Sequence, residues 1–270
     1  MKKSPMISAL ALATSMLAAV AAQAATVSLE DITATWYDGN PAANVTYHDN
    51  GTTAPYARWG TGGPSGQQSG YDYDVAAQPI VFVVPPSPSP NQVLGIFTHQ
   101  NFPINAGSSI TDIKLRIKAD VYVDYGLGAV MVGDDLEFEY AFSHWETSNG
   151  ANPCANGGAN GSGVNVNGCA DRVIANWLAT SDSFEVNNDV TIDTYSLNII
   201  GFSLDPNGVS PFTSFWTAEK KENVAYLLGN VALKSDLLPP EQVPEPATLA
   251  LVGLGLLGAA AARRRKSARG

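Results

Sequence analysis

The sequence predicts an all-β protein, an antiparallel β-sandwich of jelly-roll-like form, and three observations carry that prediction. Glycine (25) and proline (17) are abundant while charged residues make up only 15% of the 270, a loop-rich balance that favours a β protein over a helical bundle and excludes a coiled coil. From Thr26 onward, short runs of β-branched and aromatic residues recur between turn sequences. In the clearest of them, Ile113-Lys114-Leu115-Arg116-Ile117-Lys118, apolar and basic residues alternate at period two, which buries one face and wets the other.

Taken in order, residues 1–24 read as a cleavable secretory signal peptide. Lys2 and Lys3 form the positive n-region, Ile7 to Val20 the apolar h-region, and Ala22-Gln23-Ala24 the cleavage signal. Export places the rest in an oxidising compartment. A single exported β domain is expected over 25–236. Its predicted strands are Val27–Trp36, Asp72–Val84, Gln92–Phe102, Ile110–Tyr125, Leu136–His144, Val190–Leu204 and Asn223–Leu233. Asp135-Leu136-Glu137-Phe138-Glu139-Tyr140 repeats the alternation with acids in place of bases. A helical turn or two is expected at Arg172–Leu178 and Ala218–Ala225.

Turn chemistry falls between these runs, at Asp38-Gly39-Asn40-Pro41, at Asp49-Asn50-Gly51 and in the Gly/Ser/Gln segment Thr61–Gly70. The proline run Pro85–Pro90 is expected to be an extended surface loop inside the domain. Cys154 and Cys169 flank a Gly/Asn/Ser stretch with little to bury, and in an exported chain they are expected to form one disulfide around a floppy loop. A proline-rich linker, 237–246, leads into the apolar segment Ala247–Ala262, a marginal membrane-spanning helix with a basic tail to residue 270.

Charge and motifs narrow the function. Between residues 25 and 246 there are 8 basic residues against all 25 acidic ones, so nucleic acid is not a partner. The three histidines, His48, His99 and His144, have no metal-ligand spacing, so no zinc site is predicted. The G-x-S-x-G elbow is absent. Glu137 and Glu139 share a strand face, as a glycosidase pair or as the ordinary polar dress of a solvated sheet. No cofactor is expected beyond calcium, for which Asp134 and Asp135 are the preferred ligands. Trp36, Tyr37, Trp59, Tyr71 and Tyr73 are either core or a platform for sugar rings. No catalytic residues are predicted, and the protein is read as a non-enzyme.

Pro244-Glu245-Pro246, the apolar segment after it and Arg263-Arg264-Arg265 together resemble the PEP-CTERM sorting signal of Gram-negative bacteria. The resemblance implies Sec export, a transient hold in the inner membrane, processing by an exosortase and delivery to the cell surface or extracellular matrix. It also implies a link to exopolysaccharide and biofilm. Within the exported region, Thr98-His99-Gln100-Asn101 resembles the signature of the THxN family of PEP-CTERM proteins, whose Thr, His and Asn are Thr98, His99 and Asn101 here. Arg58-Trp59-Gly60, Ser69-Gly70-Tyr71, Asn152-Pro153-Cys154, Gly168-Cys169-Ala170-Asp171 and Gly201-Phe202 accompany it. The family brings no catalytic assignment. The signature follows an apolar run, Val93–Phe97, and two roles fit it: satisfying backbone groups at a strand edge, with His99 bridging two carbonyls, or facing a ligand or metal. The reading is therefore a surface or matrix protein, with a carbohydrate-binding module, calcium-assisted, as the alternative.

Overall fold

The computed structural model describes residues 24–61, 66–84, 87–176, 183–187 and 192–237. The expected signal peptide up to residue 23 and the chain from 238 onward, with the sorting motif and terminal helix, lie outside the described residues. Two antiparallel sheets make up the described chain, with no α-helix among these residues. The first sheet holds β1 (Ala25–Asn40), β5 (Ile80–Val84), β7 (Asp112–Asp124), β8 (Val130–Trp145), β9 (Asp171–Asn176) and β12 (Ser214–Thr217), in the order β12-β9-β8-β7-β1-β5. The second holds β2 (Val45–His48), β3 (Tyr56–Trp59), β4 (Ser69–Val75), β6 (Gln92–Asn101), β10 (Ser183–Asn187), β11 (Ile192–Ser203) and β13 (Lys221–Leu237), in the order β10-β11-β13-β6-β4-β3-β2.

Alternation decides which side of each strand is buried. In β7, Ile113, Leu115, Ile117, Ala119, Val121 and Val123 point inward, and the residues between them face solvent. The alternating basic and acidic segments seen in the sequence are two halves of one ladder, with Arg116 opposite Glu139 and Lys118 opposite Glu137. Arg116 Nη2 lies 2.8 Å from Glu139 Oε1, and Lys118 Nζ 3.1 Å from Glu137 Oε1. Glu137 and Glu139 are thus on one solvated face, each paired with a base. In β1 the alternation slips by one residue at a bulge between Glu30 and Thr33, where Asp31 adopts φ +47°. Aspartate tolerates that left-handed backbone better than a β-branched residue would. The bulge moves the inward set from Val27 and Leu29 to Ile32, Ala34 and Trp36.

Both inner faces meet in one aromatic core. Trp36 lies 5.7 Å from Tyr71, 6.2 Å from Phe97 and 5.7 Å from Phe142, ring centre to ring centre, so strands of both sheets touch it. Its indole N–H donates to the Pro55 carbonyl at 3.1 Å, which satisfies the one polar atom it brings inside.

Several expected elements are corrected. Asp72–Val84 is two strands in different sheets, β4 and β5, because the chain turns at Ala76–Pro79, where proline offers no ladder N–H. The helical turn expected at Arg172–Leu178 is β9, and that at Ala218–Ala225 is a tight turn followed by β13. In both, pairing with a neighbouring strand overrides weak local preference: Val173 pairs with His144, and Val224 with Thr98. The four short strands β2, β3, β10 and β12 fall outside the predicted set, being too short to display a period. Within the proline run, Ser89 N donates to Val231 O at 2.7 Å, which ties that segment to β13.

Phe142 is fully buried at the meeting of the two sheets. Phe142→Ala is expected to lower stability by about 3–5 kcal/mol, whereas Glu137→Ala, on the solvated ladder, costs less than about 1 kcal/mol. Urea midpoints of the two variants check the contrast.

Candidate functional site

At one end of the sandwich, the ends of β6 and β8 and the starts of β4 and β9 bring polar side chains into the core. His99 and Asn101 point inward from β6 and are fully buried, while Thr98 faces outward and is nearly so. The signature fills the last four residues of β6, at the end of the strand as expected, and β6 itself lies between β13 and β4. His99 does not bridge two carbonyls. Its Nδ1 is 2.9 Å from Thr217 Oγ1, and Asn101 Nδ2 donates to Thr217 O at 3.0 Å.

Thr217 joins the two sheets. It sits in β12 of the first sheet and receives His99 and Asn101 from the second. Its hydroxyl donates to Asp171 O at 3.1 Å. With that single proton committed, the hydroxyl accepts from His99 Nδ1–H, and His99 Nε2 keeps a bare lone pair. That nitrogen is buried with no hydrogen-bond partner. Burial, reinforced by the nearby His144, holds the His99 imidazole well below its ordinary pKa, so it stays neutral.

A second chain of bonds runs beside the first. Tyr71 Oη is 2.8 Å from His144 Nδ1, and His144 Nε2 is 3.4 Å from Glu146 Oε2. Burial pushes the Tyr71 phenol well above its usual value, so it remains a donor, and His144 carries its own proton on Nε2 facing Glu146. The His99 and His144 rings meet edge to face at 5.1 Å. Trp59 packs against both, at 6.0 and 5.1 Å. His48 lies apart, stacked on Tyr56 at 4.6 Å.

Three carboxyl groups complete the cluster. Asp171 and Glu219 are fully buried, and Glu146 is partly so. Asp171 Oδ1 accepts from Thr147 N at 2.7 Å, while Asp171 Oδ2 and Glu219 Oε2 receive no donor from any other residue, and the Asp171 and Glu219 carboxyls bond each other when one is protonated. The Asn149 amide nitrogen, oriented by its neighbours, donates to Glu219 Oε1 at 2.9 Å and to Cys169 O at 3.1 Å. Burial raises the affinity of all three carboxyls for protons, and the Glu146 charge raises it further at Asp171 and Glu219, the latter reaching about 7. One ring nitrogen of His144 and one oxygen each of Glu146 and Asp171 lie within 4.8 Å of one another, the grouping among the described residues suited to holding a metal ion.

Over this end lies the segment closed by the Cys154–Cys169 disulfide, whose Cα atoms are 5.3 Å apart. The expectation of a floppy loop is corrected by its asparagines. Asn156 and Asn165 exchange amide hydrogen bonds at 2.9 and 3.0 Å, and Asn165 Oδ1 accepts from Ala170 N at 3.0 Å. Asn160 Nδ2 donates to the carbonyls of Asn149 and Ala151. A surface cleft of about 830 Å³ runs along the segment, lined by Phe102, Pro103, Asn149, Asn160 and Lys220 among others.

The remaining sequence-derived sites lie elsewhere. Asp134 and Asp135 are exposed at an irregularity in the β7–β8 ladder, where Asp135 N donates to Asp120 Oδ1 at 3.0 Å and Asp135 has φ +53°. Trp36, Trp59, Tyr71 and Tyr73 are fully buried, which overturns their use as a sugar platform. Tyr37 is half-buried between Lys114 and Arg116.

Residues 242–266 match the PEP-CTERM protein-sorting motif. The match spans Pro244-Glu245-Pro246, the apolar segment and Arg263-Arg264-Arg265, and it indicates an exported protein, sorted by an exosortase and held in the membrane before delivery to the cell surface. The chain matches none of the curated proteins.

Two predictions follow from the cluster. Buried carboxyls with raised pKa values hold protons that the unfolded chain has released by about pH 5, so they make stability fall as pH rises toward about 8. His99 and His144, the latter held down to about 4, act in the opposite sense, but only between about pH 4 and 6.5. Above pH 6.5 the carboxyls act alone. The melting temperature in EDTA-containing buffer is expected to drop between pH 6.5 and 8.5, with a shallower drop in Asp171→Asn. Replacing both cysteines with alanine is expected to cost about 3 kcal/mol for a loop of this length, read from denaturant midpoints.

Proposed function

We propose that this chain is a non-enzymatic cell-surface or extracellular-matrix protein of the THxN group, exported by the Sec machinery and associated with exopolysaccharide and biofilm. The observation that carries the reading is the sorting motif at 242–266, placed after a region whose described strands form two sheets around one core. The THxN assignment rests on Thr98, His99 and Asn101 and on the convergence of the accompanying segments, since Trp59, Tyr71 and Asp171 all reach the cluster that His99 enters. The absence of an enzymatic role is favoured by burial. Thr217, the hydroxyl that His99 contacts, is fully enclosed and already donates to a backbone carbonyl, so no substrate reaches it.

Carbohydrate binding is the second reading, and a different set of aromatics favours it. Trp145, Arg172 and Trp216 stand side by side on the outer face of the first sheet, with Trp145 and Trp216 each opposite Arg172 in register. Their indole rings are 5.8 Å apart, Trp145 is 49% exposed, and the guanidinium carbon of Arg172 lies 5.8 Å from the Trp216 ring. Such a ladder offers an apolar face for a pyranose ring and a charged donor for its hydroxyl or carboxyl groups. Calcium at Asp134 and Asp135 would sit near the start of β8, roughly 30 Å along the strand from Trp145, and so would assist by ordering the domain and not by touching a sugar on the ladder.

Both readings are open to direct test. Native protein recovered from the cell surface is expected to lack Ala247–Gly270 by intact mass, and a Pro244→Ala/Pro246→Ala variant to accumulate in the inner membrane. Retention of the tail at the surface would overturn the processing. Co-sedimentation with exopolysaccharide from the host is expected to be saturable and about tenfold weaker in Trp145→Ala, the equivalent of about 1.4 kcal/mol. Loss of binding on chelation would assign calcium a part, and equal binding by the variant would remove the tryptophan ladder from the account.

A further inference from the structure

We propose that His144, Glu146 and Asp171 bind one divalent transition-metal cation of the zinc type at the end of the sandwich. The three residues come from two places in the chain, His144 at the end of β8 with Glu146 just past it and Asp171 at the start of β9, and converge with their ligand atoms within 4.8 Å of one another. Ligand atoms about 2.1 Å from a tetrahedral ion sit roughly 3.4 Å apart, so closure onto an ion needs side-chain movement on the order of 1 Å. His144 Nε2 and Glu146 Oε2 are already 3.4 Å apart.

A second feature of the same pocket favours a cation there. Asp171 Oδ2 and Glu219 Oε2 are buried oxygens that no donor from another residue reaches, on residues that are themselves fully buried, and the two carboxyls bond each other only while one of them keeps a proton. Two buried charges side by side are costly, and the shared proton avoids that cost. A dication at Asp171 takes over that role: it displaces the shared proton to solvent and compensates the negative charge that the proton leaves behind. Glu219 lies next to Asp171, and Asn149 holds its other oxygen, so it acts as the outer partner that orients the ligand set.

Donor chemistry selects the ion. Calcium takes six to eight oxygens, whereas an imidazole nitrogen with a few carboxylate oxygens suits zinc and its first-row neighbours. The second nitrogen of His144 faces Tyr71 Oη at 2.8 Å. Without metal the Tyr71 phenol donates to Nδ1 and Nε2–H faces Glu146; a phenol oxygen also accepts, so on metal binding the proton moves to Nδ1, which donates to Tyr71, and Nε2 becomes the ligand atom. Entry is by way of Glu146, whose side chain is 22% exposed. Thr147, next in sequence, bonds the carbonyls of Cys169 and Ala170, so the disulfide segment braces the ligand-bearing chain on both sides.

The test uses the full-length chain without a histidine tag, purified in detergent, stripped with EDTA and reloaded with Zn²⁺. Metal content after desalting, together with competition against a chromophoric chelator, is expected to give one zinc per chain. Asp171→Asn and Glu146→Gln are each expected to weaken binding roughly 100-fold or more, beyond the usual effect of losing an outer partner, while Asp134→Asn leaves it unchanged. Circular dichroism confirms that each variant is folded, and Glu146, being partly exposed, is the substitution least disruptive to the fold. A wild-type chain that retains no zinc would overturn the proposal. So would full zinc retention by both cluster variants, or binding of calcium in preference to zinc at these residues.

Discussion

The hydroxyl of Thr217 is the joint on which one end of the sandwich depends. A sheet packed on a sheet is held by apolar contact, which is strong but does not fix direction. Hydrogen bonds are directional, and Thr217 makes them in both senses across the gap: it receives His99 and Asn101 from the second sheet and donates to Asp171 within the first. Each partner is fully buried, so breaking the joint leaves groups that cannot recover their bonds from water, at about 1–3 kcal/mol for each one stranded. The joint also sets which imidazole nitrogen of His99 is left free.

Asparagine takes over where apolar burial stops. The segment between the two cysteines offers few side chains able to join a core, yet its backbone carbonyls and amides need partners once it is folded over the sandwich. Asn156, Asn160 and Asn165 supply them, because the carboxamide carries the same donor and acceptor as the peptide unit and can stand in for a neighbouring strand. The disulfide restricts the open chain, and the amide network then selects one arrangement of the closed one.

Much of the fold was legible because alternation is a local property. The inward set of β7 can be read off Ile113–Lys118, and the aromatic core follows from large apolar residues in predicted strands. The breaks were less legible. A bulge such as that at Asp31 shifts the inward set by one residue without any change in composition, and β12 is four residues long. The cluster was half legible: His99 and Asn101 stood out as a signature, but nothing in linear spacing links them to His144, Glu146, Asp171 or Glu219. Those residues meet only through the pairing of β8 with β9 and of β9 with β12. One signal lay in the sequence, since the segments accompanying the signature contain Trp59, Tyr71 and Asp171, all of which reach His99 or its partner Thr217.

The same strand ends that build the buried cluster also build the exposed tryptophan ladder, because neighbouring residues on a strand point to opposite faces. His144 faces inward and Trp145 outward on β8; Asp171 inward and Arg172 outward on β9; Thr217 inward and Trp216 outward on β12. The spacing of the ladder is therefore set by the registers that the cluster holds, Trp145 against Arg172 and Arg172 against Trp216. β12 is an edge strand with a partner on one side only, so its position rests on four paired residues and on the bonds of Thr217. A change inside the cluster that loosens Thr217 displaces Trp216 by the same movement. The polar interior and the aromatic exterior are two faces of one mechanical unit, and any ligand that grips the ladder also reports on the order of the cluster beneath it.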